Sequence, residues 1–183
     1  MKAAGLLLAG WVAWTLSEYA LHRWAMHGIR GILSRQHRRH HAQPGNVHWT
    51  DTLATLSRVV LIPAAIGGLA SRFVAGGGLV FLGGWTAGYV VYEVCHWRSH
   101  DHEPVPGIRR YDLWLRRRHL HHHFGHSMAN YGLTVDLWDR LFGTLEATGR
   151  VQVPRRLVPR WLLGDDGELR AEYRTYYELG RAS

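Results

Sequence analysis

Two long apolar blocks interrupt a chain that is otherwise polar and basic. Residues 3–16 carry no charged side chain, and helix-compatible residues continue to about residue 27. The second block covers residues 59–92, and its last 20 residues, 73–92, are uncharged and form about 30 Å of helix, enough for a bilayer core. Arg72 and a Gly76-Gly77-Gly78 turn divide this block. We predict a helical hairpin that enters and leaves the membrane from one side, with a buried soluble hairpin as the alternative.

The first apolar block has two interpretations. Lys2 followed by an apolar run is typical of a signal peptide, and 14 uncharged residues are short for a membrane span. The sequence after the run, SEYALHRW, contains no convincing small-x-small cleavage site. We therefore predict a retained membrane helix.

The arginines indicate the orientation of these segments. Five arginines lie in residues 22–51 and fourteen in residues 96–183, whereas Lys2 and Arg72 are the basic residues at the predicted outer turns. Because basic loops stay in the cytoplasm, both polar segments are expected there. The predicted fold is all-α and integral to the membrane, with about three or four membrane helices and a helical, histidine-rich cytoplasmic cap.

Length and composition narrow the classes of protein. A chain of 183 residues allows one domain, which we place at residues 1–150, and residues 151–183 read as a polar C-terminal tail with a loop and a short polar helix. The single Cys95 excludes a disulfide scaffold and a multi-cysteine zinc site. The net charge of +8 is compatible with nucleic acid binding, but the arginines cluster beside apolar segments, where anionic headgroups account for them. We predict a membrane partner and no nucleic acid.

Histidine is the unusual residue, with 14 copies confined to the two polar segments. Ten of them form four spaced motifs: HxxxxH at His22 and His27, HxxHH at His37, His40 and His41, HxxxH at His96 and His100, and HxxHH at His119, His122 and His123. On a helix, positions i, i+3 and i+4 share a face, so each HxxHH is expected to present three imidazoles. The i, i+5 spacing of HxxxxH diverges more and is expected at a helix end.

These ten imidazoles predict a metal centre. Four or five imidazoles per ion serve two metals, and neutral imidazole suits iron, zinc, copper and nickel. A ligating histidine usually donates its second N–H to a carboxylate or a carbonyl, and Glu18, Glu93 and Asp101 are the candidate carboxylates. Outside the motifs, His48 and His126 read as surface residues, His102 sits beside a ligand, and His121 is expected to point away.

Residues 17–146 resemble the fatty acid hydroxylase / sterol desaturase superfamily of membrane di-metal oxygenases. The resemblance rests on SEYALHRWAMHG at residues 17–28, the first HxxHH, YEVCH at residues 92–96, RRRHLHHH at residues 116–123, NYG at residues 130–132 and LWDRLFGT at residues 137–144. The HxxxH box and the closing WDRLFGT are most similar to fatty acid 2-hydroxylases.

The resemblance implies a di-iron centre that activates O2 and inserts oxygen into a C–H bond of a lipid, with the ten histidines as ligands. Eukaryotic fatty acid 2-hydroxylases typically carry a fused haem domain, whereas about twenty residues precede His22 here, so a separate electron-transfer partner is expected. Zinc is an expected substitute in purified protein. Three alternatives stay open: a carotenoid hydroxylase, a sterol or lipid desaturase, and a membrane metal-binding protein without catalysis.

Overall fold

The computed structural model describes residues 2–45, 61–62, 65–69, 71–72 and 77–180, and within these ranges the fold is mostly helical. The helices are α1 (Lys2–Ala20), α2 (Ile32–Ala42), α3 (Gly78–Asp101), α4 (Arg109–Phe124) and the short α5 (Leu137–Leu141). A π-helical turn, Leu21–Met26, directly continues α1. Two strands, β1 (Val151–Val153) and β2 (Tyr177–Leu179), pair in parallel and are the exception to the predicted all-α class.

α3 is the one described helix that is long and apolar enough to cross a membrane, judged by length and composition. It agrees with the span predicted for residues 73–92, of which residues 73–76 lie outside the described residues. The first arm of the predicted hairpin, residues 59–71, is described only in part, because residues 59–60, 63–64 and 70 are also outside them. The number of spans and the side on which the histidines lie therefore stay predictions.

Helices α1 and α3 pack closely side by side and run in the same direction. Leu7 faces Gly84, whereas Trp14, two turns later in α1, faces Gly88. The ring of Trp14 meets Trp85 edge to face, with 4.7 Å between the ring centroids. Because both helices run in the same direction, the histidines that follow α1 and those near the end of α3 lie at the same end of the pair.

Replacing Gly84 by alanine is expected to destabilise the protein, because a β-carbon there would overlap the backbone carbonyl oxygen of Leu7. Overpacking of this kind costs about 1–3 kcal/mol, which corresponds to a melting temperature about 5 °C lower for a chain of this size. Gly83→Ala is the matched control, since its β-carbon would meet only the Leu7 side chain at 3.6 Å. Thermal unfolding in detergent measures both, and equal melting temperatures would contradict the packing described.

The C-terminal segment packs as a second core against α4. Leu120 of α4 is buried in one cluster with Val151, Val153, Trp161 and Tyr177. The prediction of a short polar helix after residue 151 is wrong. The described residues there form 3-10 turns and the two strands instead. The apolar residues of this segment are spaced too widely in the sequence to form the apolar face of a helix. They are nevertheless sufficient to cover one face of α4. A domain division at residue 150 stays a prediction.

Candidate metal centre

The ten motif histidines converge from four elements. They lie at or near the carboxyl ends of helices: His22 and His27 around the π-helical turn after α1, and the others on α2, α3 and α4. Their ring nitrogens form two groups of five. Cluster A consists of His22, His27, His37, His41 and His122, and cluster B consists of His40, His96, His100, His119 and His123. In each cluster, one ring nitrogen from every histidine lies within 4.8 Å of the others.

The π-helical turn brings His22 and His27 into the same cluster. The backbone N–H of His27 donates to the carbonyl of His22 at 3.2 Å, and that of Ile29 donates to Trp24 at 2.7 Å, both with i to i+5 spacing. A turn closed in this way is wider than an α-helical turn, so residues five apart share a face. The divergence expected for HxxxxH on an α-helix is removed by this local change of helix type.

Each HxxHH motif divides between the two clusters. His37 and His41, four residues apart, belong to cluster A, whereas His40 belongs to cluster B. The motif on α4 is arranged in reverse, because its i and i+4 members are in cluster B and His122 is in cluster A. The expected three-imidazole face is therefore shared by two sites, which lie next to each other: the rings of His41 and His123 stack at 4.1 Å.

Hydrogen bonding between imidazoles does not account for these contacts. In cluster A, His37 Nε2 lies 3.1 Å from His22 Nε2, 2.8 Å from His27 Nε2 and 3.0 Å from His41 Nε2. One ring nitrogen carries either one proton or one lone pair, so it serves one such partner in the ring plane. Three nitrogens around a fourth at these distances are the arrangement that a shared cation satisfies.

The distances also fit common metal coordination. Two nitrogens bound at about 2.0–2.1 Å to one ion lie about 3 Å apart when they subtend a right angle at it. In cluster B, His96 Nε2 is 2.9 Å from His40 Nε2, and His119 Nε2 is 2.9 Å from His100 Nε2. Both ring nitrogens of His123 are buried without a hydrogen-bond partner among the described residues. The residues present therefore fit a metal ion in each cluster.

Burial lowers the pKa of nine of the ten imidazoles and so favours their neutral form. It lowers the pKa of His22 and of His41 to about 3 and that of His27 to about 4. For His37 and His119, burial and repulsion from the neighbouring imidazoles lower the pKa well below the ordinary value. A neutral imidazole has a free lone pair at pH 7, which is the form that binds a metal.

Backbone carbonyls, rather than carboxylates, orient two histidines of cluster A. His22 Nδ1 donates to the carbonyl of Tyr131 at 2.7 Å, and His122 Nδ1 donates to the carbonyl of Ala129 at 2.8 Å. Because a carbonyl only accepts, Nδ1 carries the proton in both rings and Nε2 keeps its lone pair for a metal.

Residues 129–134, which we call the carbonyl loop, have a backbone conformation that presents these two carbonyls to the histidines. Asn130 has φ 55°, a left-handed conformation that asparagine tolerates better than most residues. It lies between Ala129 and Tyr131, whose carbonyls accept the hydrogen bonds from the two histidines. The Asp139 carboxylate accepts the N–H groups of Tyr131 and Gly132, both at 2.8 Å. Arg118 in turn pairs with Asp139 at 2.9 Å, and both side chains are buried.

The three predicted carboxylates have different surroundings. Glu18 is buried and accepts the N–H groups of Leu133 at 2.5 Å and Thr134 at 3.0 Å, so it holds the carbonyl loop. Glu93 accepts a hydrogen bond from Tyr89 at 2.5 Å, and Asp101 lies 3.8 Å from Arg160 on the surface. The structure thus links Glu18 to a cluster through the loop, and it turns Asp101 towards an arginine.

The remaining histidines lie outside the clusters. His121 and His126 both approach the carboxylate of Glu146, at 3.3 Å and 2.7 Å, so His121 points away from the clusters as expected. The ring of His102 packs on Trp97, with 3.8 Å between centroids. His48 lies outside the described residues.

Sequence reasoning missed the carbonyl loop as a source of partners for the histidines. A search for carboxylates one turn from each histidine could not find a backbone carbonyl 109 residues away from His22. The available signal was the NYG motif and the aspartate of LWDRLFGT, which together build the loop.

Two adjacent clusters of five histidines, held by four helical elements, define a helical histidine-box protein whose clusters could each hold a metal ion. A family model described as fatty acid hydroxylase matches residues 7–144. The chain therefore belongs to the fatty acid hydroxylase family, which confirms the resemblance.

Two curated relatives to which the chain is similar are named as 2-hydroxylases. The chain is 33% identical over 150 residues to dihydroceramide fatty acyl 2-hydroxylase FAH2 of Arabidopsis thaliana, covering 77% of this chain and 61% of that protein. It is 30% identical over 159 residues to human fatty acid 2-hydroxylase, covering 77% of this chain and 39% of that protein. The chain thus spans less than two thirds of the length of these curated relatives.

A solved structure shares the fold. It is described as full length scs7p with only the hydroxylase domain visible, and it superposes with a TM-score of 0.64 at 28% identity. The match covers 79% of this chain and 56% of that chain.

Proposed function

We propose that this chain is a membrane-bound oxygenase that hydroxylates the fatty acyl chain of a lipid, with one iron ion in cluster A and one in cluster B. The observation that carries the proposal is the pair of adjacent clusters of five imidazoles each, in which every histidine is buried or partly buried. Membership of the fatty acid hydroxylase family and the names of the relatives support an acyl chain as the substrate.

Imidazole ligands suit iron as well as zinc, and membership of the fatty acid hydroxylase family favours iron. Bound iron would supply reduction and activation of O2, which zinc in the same ligands would not. The ten histidines would hold the ions, and none of them brings a negative charge to the site. The chain's own contribution is to orient His22 and His122 through the carbonyl loop and to keep bulk water from the buried nitrogens.

An apolar stripe on α3 supports approach of the substrate from the bilayer. Val90, Val94 and Trp97 are all exposed and lie one helical turn apart, on the helix that also carries His96 and His100. In a membrane this stripe would contact acyl chains directly. We propose that an acyl chain passes along it to the clusters, with hydroxylation at the 2-position as in the names of the relatives.

Charge on the outer face of α2 supports the proposed location and electron donor. Arg35, Arg38 and Arg39 are exposed, while the histidines of the same helix turn inward. A basic surface beside the clusters suits the cytoplasmic side of a membrane and an acidic electron-transfer protein. We propose that electrons arrive at this side from a separate donor.

A lipid comparison in a host that lacks such enzymes tests the proposal. Cells that express the wild-type chain with a suitable reductase are expected to contain acyl lipids one oxygen atom heavier, and fragmentation should place the hydroxyl at the 2-position. His40→Ala removes a ligand candidate of cluster B and is expected to give none of this product at equal protein level. Unchanged lipids in wild-type cells would favour a non-catalytic metal protein, and product from the variant would contradict the assigned site.

A further inference from the structure

An arginine-rich cavity lies on the face of α4 opposite the histidines. Its volume is about 650 Å³, and it is bounded by α4, residues 145–148 and residues 172–177. Five arginines line it: Arg109, Arg110, Arg117, Arg118 and Arg140. Residues 110, 114 and 117 lie about half a helical turn away from His119 and His123, so the cavity is separate from both clusters.

The acidic groups in this cavity are already engaged. Asp136 pairs with Arg140 at 2.7 Å, and Glu172 lies 3.6 Å from Arg109. Glu146 binds two histidines, as described above. Among the described residues, no carboxylate pairs with Arg110 or Arg117, which leaves uncompensated positive charge at the cavity.

Buried N–H groups in the cavity wall also have no acceptor. Arg118 is 4% exposed; its Nη2 donates to Asp139, but its Nε and Nη1 are buried without a hydrogen-bond partner among the described residues. The Nε of Arg117 is in the same situation, while its Nη2 donates to backbone carbonyls of Thr148 and Gly149. Leaving such donors unpaired costs free energy, but these atoms have almost no accessible surface, so a ligand oxygen would reach them only after the side chains move.

We propose that this cavity binds the phosphate group of a ligand. Planar guanidinium groups bind phosphate oxygens through paired N–H donors, and those of Arg110 and Arg117 line the cavity without a carboxylate partner among the described residues. Trp114 and Tyr176 provide flat apolar walls for the rest of the ligand, and each already contacts an arginine. A phospholipid headgroup and a soluble phosphate share this chemistry, and the proposal does not depend on the hydroxylase function.

Calorimetric titration of the full-length protein in a neutral detergent tests this site. The probes are inorganic phosphate and short-chain phosphatidic acid, with short-chain phosphatidylcholine as the comparison lipid. Wild-type protein is expected to bind at least one of the first two, and Arg117→Glu and Arg110→Glu are each expected to weaken that binding by about tenfold or more. Arg110 is exposed, so its variant keeps the test valid if Arg117→Glu fails to fold.

Arg156→Glu is the matched control, because Arg156 is exposed, lies outside the cavity and changes the net charge equally. Preferential binding of phosphatidic acid would support a phosphate site that takes a lipid headgroup. Preferential binding of inorganic phosphate would support a phosphate site that takes a soluble ligand. No binding of either probe by the wild type, or an equal effect of the Arg110 and Arg156 variants, would overturn the proposal.

Discussion

Replacing His122 by alanine is expected to abolish hydroxylation and to release metal from cluster A. His122 is completely buried, its Nε2 lies 3.1 Å from His27 Nε2, and its Nδ1 is held by the Ala129 carbonyl. Alanine removes one of the five proposed ligands of cluster A and leaves that carbonyl unpaired. Mutation of a residue that only orients a metal ligand lowers activity by at most roughly 100-fold. Because His122 is itself a proposed ligand, we expect a larger loss of activity. Bound iron, measured by mass spectrometry after purification under anaerobic conditions, should fall from two ions to about one per chain.

His121→Ala is the matched control for this experiment. His121 is the neighbour of His122 on α4, but its ring faces Glu146 rather than the clusters. Its removal deletes the same chemical group from the same helix and should leave iron content and turnover close to those of the wild type. Equal losses in both variants would mean that the effect reflects helix stability, and full activity of His122→Ala would refute the ligand assignment.

Replacing Asp139 by asparagine is expected to weaken metal binding in cluster A without removing any ligand. Asp139 is fully buried and accepts the N–H groups of Tyr131 and Gly132, which places the Tyr131 carbonyl against His22. An amide has one acceptor oxygen where the carboxylate has two, and it loses the ion pair with Arg118. We expect activity and iron affinity to fall by about 10–100-fold, the usual range for groups that orient a ligand.

Two measurements distinguish an effect on the position of the histidines from an effect on folding. They are the iron retained during dialysis against a weak chelator and the melting temperature. Asp136→Asn is the control, because Asp136 lies three residues earlier and forms its ion pair with Arg140, which is largely exposed. If Asp139→Asn retains both ions as firmly as the Asp136 variant, the carbonyl loop does not set the affinity of cluster A.

The histidines were predictable as a set because their spacings repeat the period of a helix, and all ten are brought together as expected. Their division into two clusters was not predictable, since it depends on how α2 and α4 face each other. The assignment of i and i+4 to one cluster and i+3 to the other follows from the angle between neighbouring positions on a helix. The spacing of His22 and His27 required a π-helical turn, for which the sequence carries no comparable period.

The apolar pattern predicted α1 and α3 but not their contact. Gly84 and Gly88 lie inside the helix predicted over residues 73–92, and the structure uses them for the close approach of two helices. The C-terminal core escaped prediction for another reason. Val151, Trp161 and Tyr177 are separated by polar residues and prolines, and they become one layer only when α4 provides a surface to cover. Such long-range contacts leave no local period in a sequence.

Isotope-labelled O2 gives the most direct test of the central claim, that iron in two imidazole clusters activates O2 for hydroxylation of an acyl chain. Purified wild-type protein, loaded with iron and supplied with a reductant, is given a ceramide or a fatty acid under an atmosphere of the heavy oxygen isotope. The account predicts a hydroxylated product that carries the heavy isotope and is missing when His122→Ala replaces the wild type. A product with oxygen from water, or no product from protein that holds two iron ions, would contradict it.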